Sequence, residues 1–440
     1  MEVSLLEMLE ARENRVRQQQ LLLSKYRVPL ICFTMNIAGP IKVSSLIRRG
    51  FDAGLSMLDS KLPQNTVLHR QIIVEPTGCE AMYAVALPAE ELKALCTAIE
   101  EASPLGRLFD MDVLNTAGNK LQRQHLRGCL VCGAPGRGCA AGRLHTVDQL
   151  HRATAAILRD HFAQSDRTDI AQKAVQSLLD EVSTTPKPGL VDMRNNGSHK
   201  DMTPALFTAS AHALLPYFEQ CVKLGQETAR LSPADTFPLL RQAGLAAEDA
   251  MYQVTGGVNT HKGAIYTLGV LCGALGRLWT PEDPVAPVPQ ILSLCAELTQ
   301  LSVSQDLATA DGATAGQRLY LTCGLKGIRG EVANGLPSVA NIGLPVLKDC
   351  LARGLALHHA GAVTLLHLIA TVEDTNLRHR GGEAGAVWAA QEAGKLLRAD
   401  PFPAAEKIEI LDDAFIERNL SPGGCADLLA VSYFLHSLSK

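Results

Sequence analysis

Asp110 and Asp112, in the run RLFDMDVL from Arg107 to Leu114, are the sharpest chemical pair in the first third of the chain. If this run is a strand, alternation sends Leu108, Asp110, Asp112 and Leu114 to one face and Phe109, Met111 and Val113 to the other. The two carboxylates then stand about 7 Å apart at their Cα atoms. Such a pair can clamp one or two Mg²⁺ ions, hard cations that in turn hold phosphate oxygens during an in-line displacement at phosphorus. Arg107, just upstream, supplies a cation for the same phosphates. The plainer alternative is a solvated face on an edge strand.

Cys129, Cys132, Cys139 and His145 follow within RGCLVCGAPGRGCAAGRLH. The C-x2-C spacing and two later donors are those of a tetrahedral Zn²⁺ site, with Gly and Pro supplying tight turns. Arg137 and Arg143 in the same turns point instead to an anion-binding loop, and reduced structural cysteines are a third reading.

The densest set of polar groups lies further on. EVSTTPKPGLVDMRNNGSHKDM, Glu181 to Met202, offers Lys187, Asp192, Asn196, His199 and Asp201 with almost nothing apolar after Val191. Pro186, Pro188 and Gly189 break regular structure there, because proline fixes φ and lacks an N–H while glycine reaches conformations closed to other residues. TGGVNTHKG places Asn259, His261 and Lys262 ahead of an amphipathic helix, where backbone N–H groups favour anions. RGEVANGLPSV adds Arg329, Glu331 and Asn334. TVEDTNLRHRGG carries Asp374, Asn376 and Arg380 into what reads as a helix end closed by Gly381 and Gly382. SPGGCAD opens a last helix with Asp427 in its first turn. Each loop alone passes for a cap or turn; five of them in one helical region would line a pocket suited to Mg²⁺ with a polyphosphate.

The elements that must position these groups divide the chain in two, as 440 residues exceed what one core usually supports. Ser4 and Glu7 form a capping-box pattern that starts a helix running to about Tyr26. Apolar, β-branched runs at PLICFTM, QIIVEP and AMYAVAL read as strands, with helices after Ser44 and Pro88. Residues 1–165 are therefore expected to form an α/β or α+β domain with a small mixed sheet. Residues 166–440 read as an all-α, multi-helix domain, with helices near 168–182, 203–230, 236–254, 260–278, 286–304, 340–371, 384–397, 403–418 and 424–438.

Composition excludes other classes. A net charge of −4 with no long basic run argues against nucleic acid as a partner. No 18 consecutive apolar residues occur, which argues against a membrane span. Twelve cysteines are too dilute for a disulfide scaffold, and the N-terminal acids and amides do not form a secretory signal, so a cytoplasmic location is expected.

TTPKPGLVD, NNGSHKDM, GGVNTHKGAI, VEDTN with RGG, and SPGGCADLLA resemble the motifs of the triphosphoribosyl-dephospho-CoA synthase family, over roughly residues 170–440. ARENRVRQQQ, FTMNIAGPIK, GRLFDMDVL and the CLVCG segment are similar to the citrate lyase holo-acyl-carrier-protein synthase family, the phosphoribosyl-dephospho-CoA transferase, over roughly residues 1–165. The order of the halves resembles a known fusion of the two. The resemblance implies that ATP and 3′-dephospho-CoA give 2′-(5″-triphosphoribosyl)-3′-dephospho-CoA and adenine, followed by transfer to a serine of the citrate lyase acyl carrier protein (gamma) subunit with loss of pyrophosphate. Mg²⁺ is the expected cofactor. For the first reaction the candidates are Asp192, Asp201 and Asp374 for Mg²⁺ or the sugar, His199 and His261 for acid–base work, and Lys187, Lys262 and Arg380 for phosphates. Asn196, Asn259, Asn376 and Asp427 are further ligand contacts. For the second reaction they are Asp110 and Asp112 on Mg²⁺ with Arg107. Two rivals stand beside this reading: an Mg²⁺-dependent hydrolase of ADP-ribose-like substrates, and a non-catalytic citrate lyase assembly factor.

Overall fold

Ser4 caps the first helix as its spacing predicts: its Oγ accepts the Glu7 N–H at 3.3 Å while Glu7 Oε2 accepts the Ser4 N–H at 2.7 Å. The computed structural model describes residues 2–439 except 124, 126 and 135, with the side chains of 136, 137 and 140 also left aside. The Arg137 expectation lies outside the described residues. The chain divides into two units, Met1–Ser165 and Asp166–Lys440.

In the first unit, α1 (Leu5–Tyr26), β1 (Leu30–Met35), α2 (Ser45–Lys61), β2 (Val67–Glu75), β3 (Gly78–Val85), α3 (Ala89–Glu101) and β4 (Phe109–Leu114) precede a short helix, α4 (Gly136–Ala141). The sheet runs β2-β3-β1-β4 and is antiparallel throughout rather than mixed. The tight connection between β2 and β3 makes that pair an antiparallel hairpin, since a parallel pair needs a long crossover. Ile31, Phe33, Phe109, Met111 and Val113 are fully buried on one face. There Phe33 stacks on Phe51 of α2 with ring centroids 4.8 Å apart and meets Phe109 edge-on at 5.2 Å. On the other face Leu22 of α1 packs against Leu30, Cys32, Met82 and Leu114. Register pairs Cys32 with Asp112 and Thr34 with Asp110, so the aspartates lie on the α1 side, beyond its apolar cover.

α5 (Val147–Ser183) begins in the first unit and ends in the second. The second unit continues with α6 (Pro204–Ala213), α7 (Leu215–Glu227), α8 (Pro233–Thr255), α9 (Lys262–Leu278), α10 (Val288–Ala308), α11 (Ala315–Cys323), α12 (Gly327–Ala333), α13 (Leu344–Ala352), α14 (Leu357–Thr371), α15 (Thr375–Ala399), α16 (Ala405–Glu417) and α17 (Gly423–Leu438). α9 and α17 are buried along most of their length and form the centre of its core. α7 crosses α9 closely because Gly225 and Gly276 carry no side chain; a Cβ at either would run into the other helix's backbone.

Sequence pattern and structure differ in the extent of several helices. The 203–230 helix breaks at Leu214, before Pro216, and 340–371 divides into a π-turn at Val339–Gly343, α13 and α14. α11 and α12 are short helices the periodicity did not mark. TVEDTNLRHRGG holds a whole short helix, start as well as end: Asp374 caps it, and Gly382, at φ 64° and ψ −165°, breaks it from the helix that follows, so α15 is two helices meeting at a kink. No helix among the described residues is long and apolar enough to cross a membrane.

Candidate functional site

Alternation on β4 leaves Asp110 exposed and Asp112 half-buried while their neighbours are buried. Both line a cavity of about 910 Å³ in the first unit, within the range of nucleotide-sized pockets. Burial, then the charge of Asp112, pushes the Asp110 carboxyl above its ordinary value. Asp112 forms an ion pair with Lys120. Arg107, Lys93, Arg123, Arg127 and Arg143 share the cavity wall, so two acids face an excess of cations. That is the charge pattern a polyphosphate with a divalent cation would satisfy.

The fully buried Glu100, near the end of α3, organises the wall. Its Oε1 accepts the Met111 N–H at 2.7 Å, fixing β4, and lies 2.9 Å from Arg127. Arg123 closes a second ion pair on Oε2. Burial, and then Arg127, brings the Arg123 guanidinium down to about 10. Arg127 Nη1 donates to the Phe109 carbonyl at 2.5 Å, and Arg107 Nη2 to the Gly128 carbonyl at 2.5 Å. Glu100, Lys93, Arg123 and Arg127 were absent from the sequence candidates.

Cys129, Cys132, Cys139 and His145 converge at the same cavity's margin, their donor atoms within 4.8 Å of one another. Cys129, Cys139, Arg143 and His145 line the cavity itself.

The second unit holds a smaller cavity of about 280 Å³. First turns of α9 and α17 and the start of α15 open onto it, through Lys262, Gly263, Asp427 and Asn376. Helix N-termini aimed at one space form an anion site. Lys187, His199, Asn259, His261 and Arg380 complete the group of sequence candidates gathered there.

His199 accepts from Arg380 Nη2 through Nδ1 at 3.2 Å, so its proton sits on Nε2, 2.9 Å from Ser421 Oγ. Burial, then the Arg380 charge, brings it down to about 4, and the ring is neutral at pH 7. His261 is buried, with Nδ1 2.8 Å from Ser210 Oγ. Thr260 Oγ1 donates to Ser210, whose own proton therefore goes to His261 and leaves the ring N–H on Nε2. That Nε2 is buried and has no protein partner. Burial, then Lys187, holds His261 near 3. It is a neutral ring with one buried nitrogen left without a hydrogen-bond partner.

Lys187 is buried beside Glu181, Nζ to Oε1 2.5 Å, and also donates to the Glu181 carbonyl. Burial raises the Glu181 carboxyl and Lys187 lowers it. Asp427 accepts from the Ala264 N–H, and a Cβ at Gly263 would fall onto its carboxylate, so this glycine is required for the contact. Burial, then Glu181 and Asp374, drives Asp427 well above the ordinary carboxyl value. Lys262 forms a 2.7 Å ion pair with Glu248 at the rim.

Seven sequence candidates do not line this space, so four of the five loops meet there rather than five: Arg329 lines one separate cavity and Glu331 and Asn334 another. Asp192 is buried and accepts the N–H groups of Lys187, Arg194 and Asn195 at 2.8–3.0 Å, so it folds its own loop. Asp374 is buried too: Oδ1 accepts from Asn376 and Leu377 and Oδ2 from the Cys425 N–H at 2.8 Å. It caps α15 and ties it to the start of α17, and it lines a separate cavity of about 320 Å³ with Glu331 and Asn334. Asn196 and Asp201 are exposed; Asp201 acts on His199 and Arg380 only by its charge. Asp412, unmarked by the sequence, anchors the same loop by accepting from Gly189, Arg194 and Asn195. With two caps of about 0.5–2 kcal/mol each resting on one residue, Asp374→Ala is expected to destabilise the second unit by about 1–4 kcal/mol. A denaturation midpoint equal to that of the unaltered chain would contradict the capping assignment.

Comparison with known proteins covers both parts of the chain. Residues 3–161 match the apo-citrate lyase phosphoribosyl-dephospho-CoA transferase family, and residues 167–440 the ATP:dephospho-CoA triphosphoribosyl transferase family. The chain is 38% identical to the CitXG protein of Haemophilus influenzae, over 99% of this chain and 96% of that one. It is 31% identical to the CitXG protein of Leuconostoc mesenteroides, over 99% and 97%. Its second part is 42% identical to the 2-(5″-triphosphoribosyl)-3′-dephosphocoenzyme-A synthase of Pectobacterium atrosepticum, over 64% of this chain and 93% of that protein. The chain belongs to the CitXG family, a bifunctional transferase in which these two transferase families are joined in a single polypeptide.

Proposed function

We propose that residues 166–440 join ATP to 3′-dephospho-CoA and that residues 1–165 pass the product to a serine of the citrate lyase acyl carrier protein (gamma) subunit, in the cytoplasm. The observation that carries this reading is a separate acid-and-cation cavity in each unit, in a chain whose parts match the two transferase families.

In the first reaction the ribose 2′-hydroxyl of dephospho-CoA attacks the ribose C1 of ATP. The bond from C1 to the base breaks, the hydroxyl proton is lost, and adenine leaves with a proton while the triphosphate stays on the sugar. Positive charge builds on the sugar as that bond opens, and a preorganised carboxylate offsets it. Asp427, which lines the cavity together with Glu181, is our candidate for this carboxylate. The unpartnered Nε2–H of His261 faces the same space and is the donor for the departing base, since a ring held near 3 stays neutral and gives a hydrogen bond without charge. Arg380, Lys262 and the α9 and α17 N-termini hold the triphosphate.

In the second reaction the serine Oγ attacks the α-phosphorus, and the bond to the β-phosphate oxygen breaks to release pyrophosphate. Asp110 and Asp112 are oxygen donors that fit Mg²⁺, which when bound offsets the charge growing on the leaving group. Arg107, Arg127 and Lys93 face the same phosphates.

Full-length protein with ATP, Mg²⁺ and dephospho-CoA should release adenine only when dephospho-CoA is present, and should give an adduct of the expected mass. Adding apo acyl carrier protein should then release pyrophosphate and increase the carrier's mass. Adenine released equally without dephospho-CoA would make the second unit a hydrolase; no turnover of ATP would leave an assembly factor.

A further inference from the structure

We infer that Cys129, Cys132, Cys139 and His145 bind one structural Zn²⁺ that fixes the segment forming one wall of the aspartate cavity. The four donor atoms lie within 4.8 Å of one another, with Cys132 Sγ 3.4 Å from Cys139 Sγ and 3.3 Å from His145 Nε2. A tetrahedral ion with Zn–S and Zn–N bonds of about 2.3 and 2.0 Å has ligand-to-ligand edges of roughly 3.5–3.8 Å. The cluster needs only small side-chain shifts to reach that geometry.

The backbone around the first cysteine is already shaped for a metal-bound thiolate. Cys129 N–H donates to the Ala134 carbonyl at 2.6 Å and its carbonyl accepts from Gly133 at 3.0 Å, closing a tight turn. Within that turn the Val131 N–H points at Cys129 Sγ, 3.4 Å away. Gly133, at φ 73°, takes a conformation that residues with a side chain rarely adopt. A backbone donor on sulfur stabilises negative charge there.

Exposure sets Cys129 and Cys132 apart from the cysteines of the helical core. Cys221, Cys272 and Cys295 are fully buried in helices among apolar neighbours, as reduced structural cysteines are. Cys132 is exposed and Cys129 half-exposed, yet their sulfurs converge with Cys139 and an imidazole in a segment whose one helix, α4, spans six residues. So short an element leaves little apolar surface to hold the segment, and a metal would supply what the core does not. Three thiolates and a neutral imidazole are soft donors that select zinc over Mg²⁺. Binding releases the thiol protons.

The same segment places Arg127, Gly128 and Arg143 at the cavity, through the bonds from Arg127 to Phe109 and from Arg107 to Gly128. The metal would therefore position cations for carrier transfer. That consequence rests on reading this cavity as the transfer site, whereas the metal content does not.

Full-length protein purified under reducing conditions without chelator is expected to contain about one zinc per chain by elemental analysis. Cys132→Ser and Cys139→Ser should lose it, and Cys323→Ser, an exposed cysteine of the other unit, should keep it. Replacing zinc with Co²⁺ should give the visible spectrum of a tetrahedral thiolate site, a readout independent of how the serine variants fold. Wild-type protein that carries no zinc and takes none up, a Cys132–Cys139 disulfide in reduced preparations, or full zinc retention in the Cys132→Ser/Cys139→Ser double variant would each overturn the site. Removing zinc should slow carrier modification ~10–100-fold, the scale of a displaced positioning group, and leave adenine release unchanged. Zinc present but carrier transfer unaffected by its removal would overturn the positioning role.

Discussion

Asp427→Asn is expected to lower adenine release by more than ~100-fold, the scale of losing one preorganised electrostatic stabiliser, while leaving the fold intact. The amide keeps an oxygen to accept the Ala264 N–H and the same volume above Gly263, so the contacts that seat the side chain survive. Only the capacity to ionise is lost. Asp427 lies among Lys187, Lys262 and Arg380, and in the unliganded site burial, Glu181 and Asp374 all disfavour its ionised form. A cationic sugar forming beside it reverses that preference, so the carboxylate gains charge when the transition state needs it. The measurement is adenine release by the full chain under saturating ATP and dephospho-CoA. Carrier modification from preformed triphosphoribosyl-dephospho-CoA should proceed at the normal rate. Adenine release within a few-fold of the unaltered protein would remove Asp427 from the reaction and make it a cap on α9.

The contrast between Asp427 and Asp374 marks where sequence reading reaches its limit. Both are aspartates in glycine-rich or polar loops at the start of a helix, and the sequence reading favours Asp374 for Mg²⁺ or the sugar and leaves Asp427 a further ligand contact. What separates them is which N–H groups they meet: Asp374 meets three, one of them from Cys425, a residue 51 positions away. A long-range partner of that kind leaves no local pattern. Asp192, by contrast, satisfies donors within its own loop, and the short spacing to Lys187 and Asn195 is the signature of a local turn.

Other features were legible because a fixed geometric period carries them. Two-residue alternation placed Asp110 and Asp112 opposite Phe109, Met111 and Val113, and the Ser4–Glu7 spacing marked the cap of α1. The glycine pair in RGG reads as a stop, since glycine commonly ends helices, and Gly382 does break the first part of α15 from the second; what the pattern hid is that the helix it ends is short and begins at Asp374. Glu100 and Glu181 carried a signal that went unused. Each sits in the last turns of its helix, where the macrodipole disfavours a carboxylate, and each is buried on cations: Arg123 and Arg127 for one, Lys187 for the other. An acid in a helix's unfavourable end is a cue to look for a buried partner.

The opposite dissociation is expected in the first unit. Asp110→Ala or Asp112→Ala should reduce modification of the carrier protein by about 100-fold or more, since each removes one of the two oxygen donors that face the phosphates, and adenine release should continue unchanged. Asp110 is exposed on an edge strand, so its loss removes no packing; the apolar residues that hold β4 lie on the other face. Asp112 pairs with Lys120, and its removal also frees a cation in the cavity, so its variant tests charge balance as well as metal binding. Supplying preformed triphosphoribosyl-dephospho-CoA isolates the step, with carrier mass and pyrophosphate as readouts. Raised Mg²⁺ should restore part of the activity of Asp112→Ala if Asp110 still binds the ion. Normal carrier modification by Asp110→Ala would make the aspartates a solvated strand face, and loss of both reactions together would overturn the assignment of one reaction to each unit.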